Sequence, residues 1–207
     1  MKRSKVEMST DISTIIVNYN AGTFLRKCVD SVLASPLKIE IIVVDNASTD
    51  KSLETLPPSP HLTVIKNSLN VGFSAGCNVG LKAAKADRVL FLNPDCSFSY
   101  EAITYLTSYL NTHDQVGMVG GLLVNPDGTE QGGGRRAVPT PWRTLVRTLG
   151  LTRLSGRWPH LFKDFHLHKQ PLPTEPIEVE AISGACMLVK RKALDDVGLW
   201  DEGYFLH

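Results

Sequence analysis

Polar side chains follow three hydrophobic runs of the sequence directly, at the points where each run ends. They are Asn18, Tyr19 and Asn20 after the first run, Asp45 and Asn46 after the second, and Asn93 and Asp95 after the third. Carboxylate and amide oxygens can bind divalent cations or accept hydrogen bonds from a ligand. A carboxylate at the end of a buried run can face a cleft while its backbone stays anchored. These residues are therefore the first candidates for a binding or catalytic site.

The hydrophobic runs have the composition of buried β-strands, and segments with helical spacing lie between them. The predicted strands span residues 12–17, 39–44, 62–65, 88–92 and 182–189, and the predicted helices span 24–33, 51–56, 75–86 and 100–110, the first with Thr23 as its N-cap. Alternating strands and helices predict an α/β fold with a mainly parallel, Rossmann-like sheet flanked by helices. In such sheets ligands bind outside the carboxyl ends of the strands, which is where the polar side chains lie.

Composition and motifs argue against several classes of protein. The chain has 207 residues, 43% of them hydrophobic, so it can bury one substantial core. No apolar run reaches the roughly 18 residues that a membrane span needs. Four cysteines without a CxxC pair are typical of reduced, buried thiols. Neither a GxGxxG motif nor a Walker A phosphate loop is present, so dinucleotide enzymes and P-loop kinases are disfavoured.

The two acids at the strand ends each have a functional and a structural interpretation. A diphosphate bound without a phosphate loop needs a cation, and Asp95, assisted by Asn93, could hold Mg²⁺ or Mn²⁺. An acid after Pro94 is also common in plain type I turns. Asp45 likewise could accept hydrogen bonds from nearby amides of the turn DNAST. The residues alone leave both interpretations open.

Six ordered motifs carry a family resemblance that runs from about residue 12 to the last residue. They are IIVNYN, VVDNASTD, NVGFSAGCNVGL, VLFLNPDC, ISGACMLVKR and GLWDEGYFL. The series resembles the inverting GT-A glycosyltransferases of family 2, and within them the rhamnosyltransferase-like bacterial members that build cell-surface polysaccharide. The resemblance implies transfer of a sugar, a deoxyhexose such as rhamnose, from a nucleoside-diphosphate donor to a saccharide or lipid-linked acceptor, with inversion.

The resemblance also implies roles for individual residues. Asp45, with Asn46 beside it, would contact the pyrimidine of a UDP or dTDP donor. The metal-binding DxD motif falls on residues 93–95, where Asn93 replaces the first acid, so Asp95 is the expected ligand of Mg²⁺ or Mn²⁺. The predicted substrate-binding set further contains Asn18, Tyr19, Asn20, Asn78, Gly184, Trp200 as a sugar platform and Asp201 as a hydroxyl ligand, and His207 is a further candidate for metal or phosphate contact.

Glycines in two motifs have a packing alternative to a binding role. The stretch NVGFSAGCNVG places Asn70, Gly72, Gly76 and Asn78 at the entry to a helix, whose N-terminus favours a diphosphate. The same spacing can mean close packing of the helix on the sheet, which we prefer for Gly80, while for Asn78 we prefer the donor pocket. Residues around Gly184 could equally form a strand bend.

The last motif bears on catalysis. In the family, the segment matching GLWDEGYFLH is followed by an acidic pair that contains the catalytic base, and then by helices of the acceptor site. The resemblance therefore implies that residues 1–207 are a single, partial GT-A domain without those helices, and that it binds donor better than it turns over. Asp201 and Glu202 are the fallback candidates for the base.

A basic segment interrupts an otherwise acidic chain. Between Gln131 and Lys163 there is no acid, so a net charge of +1 combines this basic segment with a remainder of net charge −6. Its cations are Arg135, Arg136, Arg143, Arg147, Arg153, Arg157 and Lys163, interleaved with Trp142, Leu145, Val146, Leu149, Leu154, Trp158, Leu161 and Phe162. Residues 131–163 could be an insertion that contacts an anionic membrane, or a solvated lid over the acceptor cleft. We expect a cytoplasmic protein, peripheral at the inner face of the membrane, with no nucleic-acid partner.

Two rival functions share many of these residues. A sugar nucleotidyltransferase would share the sheet and the metal-binding acid, but should carry a Gly-rich loop with Arg and Lys after its first strand. This sequence has NYNAGTF there. A non-catalytic nucleotide-sugar-binding module would keep Asp45 and Asp95 while lacking the base. Binding measured separately from turnover distinguishes these classes.

Overall fold

The computed structural model describes residues 11–132, 134–136, 138, 140–154, 157–158 and 172–205. The described residues divide into two compact units. The larger unit lies within Met1–Gly120 and Gly184–His207, and the smaller unit lies within Gly121–Ser183. The predicted insertion at 131–163 falls within the smaller unit, whereas the candidate residues at the strand ends belong to the larger one.

Strands and helices alternate through the first half of the chain, as predicted. The strands are β1 (Ile12–Asn18), β2 (Ile39–Asp45), β3 (Leu62–Lys66), β4 (Arg88–Leu92), β5 (Met118–Gly120), β6 (Arg135–Arg136), β7 (Ala181–Ile182) and β8 (Cys186–Lys190). The helices are α1 (Thr23–Leu33), α2 (Phe73–Ala83), α3 (Tyr100–Thr112), α4 (Pro141–Thr148) and α5 (Arg191–Val197), with short 3₁₀ turns at Leu53–Thr55 and Leu151–Leu154. Among the described helices, none is long and apolar enough to cross a bilayer.

A six-stranded sheet forms the centre of the larger unit, in the order β3-β2-β1-β4-β8-β5. The first four strands in this order pair in parallel, whereas β8 runs antiparallel between β4 and β5. The predicted α/β architecture with a mainly parallel sheet is therefore confirmed. Because β2, β1 and β4 are parallel neighbours, their carboxyl ends lie side by side, and the pairing places Asn18 opposite Asp45.

The aliphatic runs form the central strands because protein covers both of their faces. Residues 12–16 of β1, residues 41–45 of β2 and residues 89–92 of β4 are all buried. A parallel strand in this position favours a continuous aliphatic sequence over the alternation of a half-exposed strand. The change from aliphatic to polar residues at Asn18 and Asp45 therefore marks the edge of the sheet where side chains can meet a ligand.

Two glycines of α2 let this helix lie directly on β1. A Cβ atom at Gly76 would be 2.8 Å from Cγ1 of Val17, and a Cβ atom at Gly80 would overlap Cγ2 of Ile15. Ile15 is only 1% exposed, so it could not move aside without disturbing the core. Close packing is thus confirmed as a role of Gly80, and Gly76 has the same role.

Several local predictions were wrong in their boundaries, and the helix predicted at 51–56 is only the short 3₁₀ turn at Leu53–Thr55. The strand predicted at 182–189 is two strands, because the chain turns at Gly184 and Ala185, and β7 pairs with β6 instead of entering the central sheet. Helix α1 begins at Thr23 itself, and its N-cap is Gly22, whose φ of 58° suits glycine. The helix predicted at 75–86 spans residues 73–83, since the backbone is already extended at residue 84.

The smaller unit contains the antiparallel pair β6 and β7 together with α4. The Arg135 guanidinium donates two hydrogen bonds to the Glu130 carboxylate, at 2.7 and 2.8 Å. Arg143 contacts both carboxylate oxygens of Glu180, at 2.8 and 3.1 Å, and also the carbonyl of Val138 at 2.9 Å. These two cations of the basic segment are thus paired with acids that lie outside it.

Candidate functional site

The ends of β1 and β2 are joined by a buried hydrogen bond between Asn18 and Asp45. Asn18 Nδ2 donates to Asp45 Oδ1 at 2.7 Å and lies 3.0 Å from the hydroxyl oxygens of Ser48 and Ser52. Asp45 Oδ2 accepts from the backbone N–H of Ser48 at 3.2 Å. Asn18 is fully buried and Asp45 is 3% exposed. Asp45 therefore organises its own turn, as one interpretation of the sequence had it, and does so at the edge where the candidate site lies.

The side-chain oxygen of Asn18 is a buried acceptor that the protein leaves unused. Asn18 Oδ1 has no hydrogen-bond partner among the residues that the structure describes. A buried acceptor left unsatisfied costs about 1–3 kcal/mol. Such atoms are therefore usually matched by a water molecule or a ligand. Asn18 Oδ1 is thus a point at which a ligand N–H or hydroxyl could complete the site.

The loops that follow β1 and β2 are fastened to each other. Asn20 Oδ1 accepts from the backbone N–H of Thr49 at 2.8 Å, and Asp50 Oδ2 accepts from the N–H of Gly22 at the same distance. A hydrogen bond of 2.5 Å from the Ser52 hydroxyl to Asp50 Oδ1 lowers the pKa of Asp50 below its usual value. These contacts hold the loop after Asp45 in one conformation.

Asn46 joins the end of β2 to the beginning of α2. Its Nδ2 donates to the carbonyl of Gly72 at 2.9 Å, and its Oδ1 accepts from Asn67 Nδ2 at 2.8 Å. The N–H of Gly72 in turn donates to Asn70 Oδ1 at 3.0 Å. Because Asn46 is 2% exposed and bonded at both ends, these contacts give it a supporting role. A contact with substrate stays a prediction for this residue.

Asp95 lies in an exposed turn directly after β4. The Asn93 N–H donates to the carbonyl of Ala185 at 2.9 Å, and the Asn93 carbonyl accepts from the N–H of Cys96 at 3.1 Å. The Cys28 thiol lies 3.5 Å from the same carbonyl. Burial raises the pKa of Cys28 and raises that of Cys96 to about 12, so both thiols stay protonated. None of the four cysteines forms a disulfide. The backbone contacts hold the turn while Asp95 remains exposed.

Asn78 of α2 holds the chain at residues 200–205. Its Nδ2 donates to the carbonyl of Trp200 at 2.9 Å and to Glu202 Oε1 at 2.8 Å, while its Oδ1 accepts from the Trp200 N–H at 3.0 Å. Nearby, the N–H of Phe73, at the beginning of α2, donates to the carbonyl of Phe205 at 2.9 Å. The amide predicted to face a donor and the helix N-terminus predicted to face a diphosphate thus both hold this segment. Their ligand-binding roles stay predictions.

Replacing Asn78 with alanine should loosen the segment around Trp200. Three part-buried hydrogen bonds would be lost, and since each contributes about 1 kcal/mol while the Trp200 backbone loses its partner, we expect a destabilisation of about 2–4 kcal/mol. Hydrogen exchange should show faster exchange of the Trp200 amide. Asn111→Ala, which removes an exposed amide bonded to Arg88, is the matched control. An unchanged rate at Trp200 would show that Asn78 does not hold this segment.

Trp200 packs against Phe91 of β4. Its ring meets the ring of Phe91 edge to face, with centroids 5.3 Å apart and an interplanar angle of 86°. The indole Nε1 is buried and finds no partner within the described part of the chain. Trp200 is therefore anchored on β4 through Phe91. Its predicted stacking against a sugar ring stays a prediction.

The remaining predicted substrate residues lie around the same unit. Tyr19 is 53% exposed at the end of β1. Asp201 is exposed, and its Oδ1 accepts from the N–H of Gly203 at 2.9 Å. Gly184 lies in the turn before β8, where a Cβ atom would be 3.9 Å from the ring of Phe73.

The Asp95 carboxylate can supply an oxygen ligand to a divalent cation whose other ligands are substrate phosphates and water. Among the described residues, no group of three or more His, Cys, Asp or Glu side chains could hold a metal ion by itself. Mg²⁺ and Mn²⁺ are often bound through one or two carboxylates plus substrate phosphates and water, and an exposed carboxylate fits that mode. His207, the other predicted ligand, lies outside the described residues.

Sequence reasoning missed several residues that shape this edge. Ser52 is fully buried and contacts Asn18 from 34 positions away, and Asn67 supports Asn46 from 21 positions away. The Ser- and Asn-rich loops signal local turns. Which strand end each side chain would reach could not be read from that signal, because the pairing depends on the order of the strands.

A separate open cavity of about 430 Å³ lies at the other end of β4. Its lining residues are Asp87, Arg88, Leu110, Asn111, Asp114, Lys190, Arg191, Lys192 and Asp195. Lys190 Nζ donates to the carbonyls of His113 and Asp114, and the Arg191 guanidinium donates to those of Ala84 and Ala86. None of the predicted site residues lines this cavity, and two of its cations tie backbone segments together.

Residues 13–198 match the protein-family model described as glycosyl transferase family 2. The chain is 26% identical over 212 residues to N-acetylglucosaminyl-diphospho-decaprenol L-rhamnosyltransferase of Mycobacterium tuberculosis, a match that covers 96% of this chain and 67% of that protein. A shorter match, to glycosyltransferase GlyA of Streptococcus pneumoniae, is 36% identical over 88 residues and covers 41% of this chain and 13% of GlyA.

Solved structures share the fold. The mannosyltransferase PcManGT of Pyrobaculum calidifontis, solved with GDP-Man and Mn²⁺, has a TM-score of 0.62 and 17% identity, covering 95% of this chain and 49% of its own. Residues 1–349 of Staphylococcus aureus TarS have a TM-score of 0.57 and 20% identity, covering 93% of this chain and 51% of that one. The fold is therefore the GT-A fold, and the chain spans about half the length of these two structures.

Proposed function

We propose that this chain, which belongs to glycosyl transferase family 2, moves a sugar from a nucleoside-diphosphate donor to a saccharide or lipid-linked acceptor, with inversion at the anomeric carbon. One observation carries the proposal. The buried Asn18 and Asp45 are the last residues of β1 and β2, and the exposed Asp95 follows β4, the neighbour of β1 in the sheet. Ligands of α/β sheets bind at this edge. The buried acceptor oxygens of Asn18 and Asp45 could bind the N–H and hydroxyl groups of a nucleoside. The exposed Asp95 could bind the cation of its diphosphate.

The Asn18–Asp45 pair supports recognition of the donor base. Each Asp45 oxygen accepts one hydrogen bond from the protein, and a carboxylate oxygen can accept a second, here from the N3–H of uracil or thymine. Asn18 Oδ1 could accept a further N–H or a ribose hydroxyl. These acceptors support a UDP or dTDP donor. Guanine also offers a ring N–H, so GDP belongs in the test.

Asp95 is the residue that would hold Mg²⁺ or Mn²⁺ beside the diphosphate. The cation, when bound, would neutralise charge that develops on the departing diphosphate. Because residues 93 and 96 are hydrogen-bonded within the turn, the backbone that carries Asp95 is already positioned before the donor arrives. The Mn²⁺ complex of the mannosyltransferase of the same fold is consistent with this role.

The proposed reaction is a single displacement. The acceptor hydroxyl oxygen bonds to the anomeric carbon while the bond from that carbon to the diphosphate oxygen breaks, and the hydroxyl proton passes to a carboxylate base. Asp201 and Glu202 are the candidates for the base among the described residues. Each already uses one carboxylate oxygen, Glu202 towards Asn78 and Asp201 towards Gly203.

The proposed sugar and acceptor follow from the mycobacterial relative. Its name states rhamnosyl transfer and a diphospho-decaprenol-linked substrate. We therefore propose a deoxyhexose donor, a lipid-linked or saccharide acceptor, and a place in the synthesis of cell-surface polysaccharide.

A nucleotide-sugar-binding module without turnover is the second candidate. It is favoured by the hydrogen bonds that already engage Asp201 and Glu202, because a base held in a structural contact is less available to an acceptor hydroxyl. This module would keep the Asn18–Asp45 pair and Asp95, and so would bind donor as the enzyme does.

Binding and turnover measured in parallel test the proposal. Calorimetry with UDP, dTDP and GDP, with and without Mn²⁺, should show binding of a pyrimidine diphosphate that Mn²⁺ strengthens. Incubation with the matching sugar nucleotides should then release nucleoside diphosphate when acceptor is present. Binding without release would favour the second candidate, and pyrophosphate release from a nucleoside triphosphate would favour a nucleotidyltransferase. Absence of nucleotide binding would contradict all three.

A further inference from the structure

Helix α4 of the smaller unit exposes a row of large apolar side chains. Trp142 is 50% exposed, Leu145 is 46% exposed and Leu149 is 61% exposed. Their spacing of three and four residues places them on one face of a helix. Leu149 follows the last residue of α4, but its N–H donates to the carbonyl of Leu145 at 2.9 Å, which continues the helical pattern. We call these three residues the α4 face.

The exposure of the α4 face contrasts with the burial of a neighbouring side chain of the same helix. Val146, one position from Leu145, is fully buried, so another side of α4 is already covered. Arg143 is directed to Glu180 by two hydrogen bonds. The exposed part of the apolar row is therefore area that these contacts leave uncovered.

Exposed cations follow the α4 face along the chain. The basic segment that contains α4 has seven cations and no acid, although Arg143 is paired with Glu180 from outside the segment. Arg153 and Arg157 are exposed beyond the helix, and the Arg157 guanidinium lies 5.4 Å from the ring centroid of Trp158, itself 48% exposed. Exposed Trp and Leu beside Arg is the composition that binds at the boundary between lipid headgroups and acyl chains.

We propose that the α4 face docks on the surface of an anionic lipid bilayer, with Trp142, Leu145 and Leu149 in the headgroup boundary and the exposed Arg153 and Arg157 on the lipid phosphates. These two cations favour this occupant, because exposed arginines beside exposed apolar side chains are complementary to an anionic membrane. The sequence leaves membrane contact and a solvated lid open for the whole basic segment, and the proposal places membrane contact on one helical face. Leu161, Phe162 and Lys163 lie outside the described residues and are not needed.

The biological purpose of docking rests on the proposed function, whereas the docking itself does not. A lipid-linked acceptor, such as the mycobacterial relative's name states, would be met at this surface. The physical argument uses the smaller unit alone, whereas donor binding uses the strand ends of the larger unit. Each can therefore fail without the other.

Flotation of the 207-residue chain with lipid vesicles tests the docking. Vesicles of phosphatidylcholine with phosphatidylglycerol should bind the chain at low salt, and both vesicles of phosphatidylcholine alone and high salt should weaken binding. Leu149→Glu should weaken binding at least about tenfold, since it removes apolar area and adds an anion. Arg153→Gln should weaken it about fivefold, because one cation is lost. Val197→Glu changes a side chain that is 88% exposed in the larger unit and should leave binding unchanged.

Each alternative occupant gives a different result. Equal binding to neutral and anionic vesicles, or an equal loss in Val197→Glu, would overturn the assignment to this face and its charge. A dimer in sedimentation that Leu149→Glu dissociates would assign the α4 face to a second copy of the chain instead. Calorimetry of the same variants with nucleoside diphosphate separates the two proposals, because intact nucleotide binding without vesicle binding would sink only the docking.

Discussion

Replacing Asp95 with alanine is expected to abolish the Mn²⁺-dependent part of nucleoside-diphosphate affinity while leaving the fold intact. Residues that only orient metal ligands contribute about 10- to 100-fold to metal affinity, so loss of the ligand itself should weaken Mn²⁺-assisted binding at least about 100-fold. Stability should change little, because Asp95 is exposed and the backbone hydrogen bonds of its turn survive the substitution. Calorimetric titration with and without Mn²⁺ measures the first effect, and thermal unfolding measures the second.

The control for Asp95→Ala is Asp87→Ala, which removes an exposed carboxylate just before the other end of β4. The backbone carbonyl of Asp87 accepts a hydrogen bond from the N–H of Arg191, and this bond remains when the side chain is replaced. The control should keep its metal dependence. Undiminished metal dependence in Asp95→Ala would refute the ligand role, and a large fall in melting temperature would identify Asp95 as a structural turn residue.

The second large effect is expected for Asp45→Asn. Both carboxylate oxygens accept hydrogen bonds, from Asn18 Nδ2 and from the N–H of Ser48, whereas an amide offers a single acceptor oxygen. One buried donor would then face another, so we expect a destabilisation of about 1–3 kcal/mol. Loss of the negative acceptor for a base N–H should also weaken nucleotide binding about 10- to 100-fold, since hydrogen bonds to charged groups contribute about 1.5–3 kcal/mol.

Asp50→Asn separates these two effects of Asp45→Asn. Asp50 also accepts hydrogen bonds that fasten the loop after β2, from Gly22 and from Ser52, but it is exposed and five positions farther on. If Asp45 acts only by holding the loop, both variants should lose nucleotide affinity in proportion to their loss of stability. A loss confined to Asp45→Asn would support direct contact with the base. Equal titration curves for Asp45→Asn and the unaltered chain would contradict the role.

The strand ends could be predicted because the physics that marks them is local. A central parallel strand needs aliphatic residues on both faces, so Asn18 and Asp45 stand out as the points where this demand ends. The same reasoning found β4 with its observed bounds and Asp95 just beyond it. Family resemblance then added the roles of these residues, which the composition of the strands does not contain.

The connections between strand ends could not be predicted because they depend on tertiary pairing. The hydrogen bond from Asn78 to Trp200, 122 positions away, could not be read from the sequence, and the place of Asn78 in a donor pocket stays a prediction. The strand predicted at 182–189 was broken because Gly184 and its neighbours turn the chain, and only β8 inserts into the sheet, antiparallel to β4. Helical spacing likewise could not show which face of α4 would remain exposed, because that depends on what covers Val146.

Amide NMR of the chain with UDP or dTDP and a trace of Mn²⁺ tests the central claim most directly. Mn²⁺ broadens the resonances of nearby nuclei, so the broadened amides locate the ion in the fold. We predict broadening centred on residues 93–96 that requires the nucleotide, with nucleotide-induced shifts at Asp45 and Asn46. Broadening centred instead on the acids of the cavity at the other end of β4, Asp87, Asp114 and Asp195, would contradict the account.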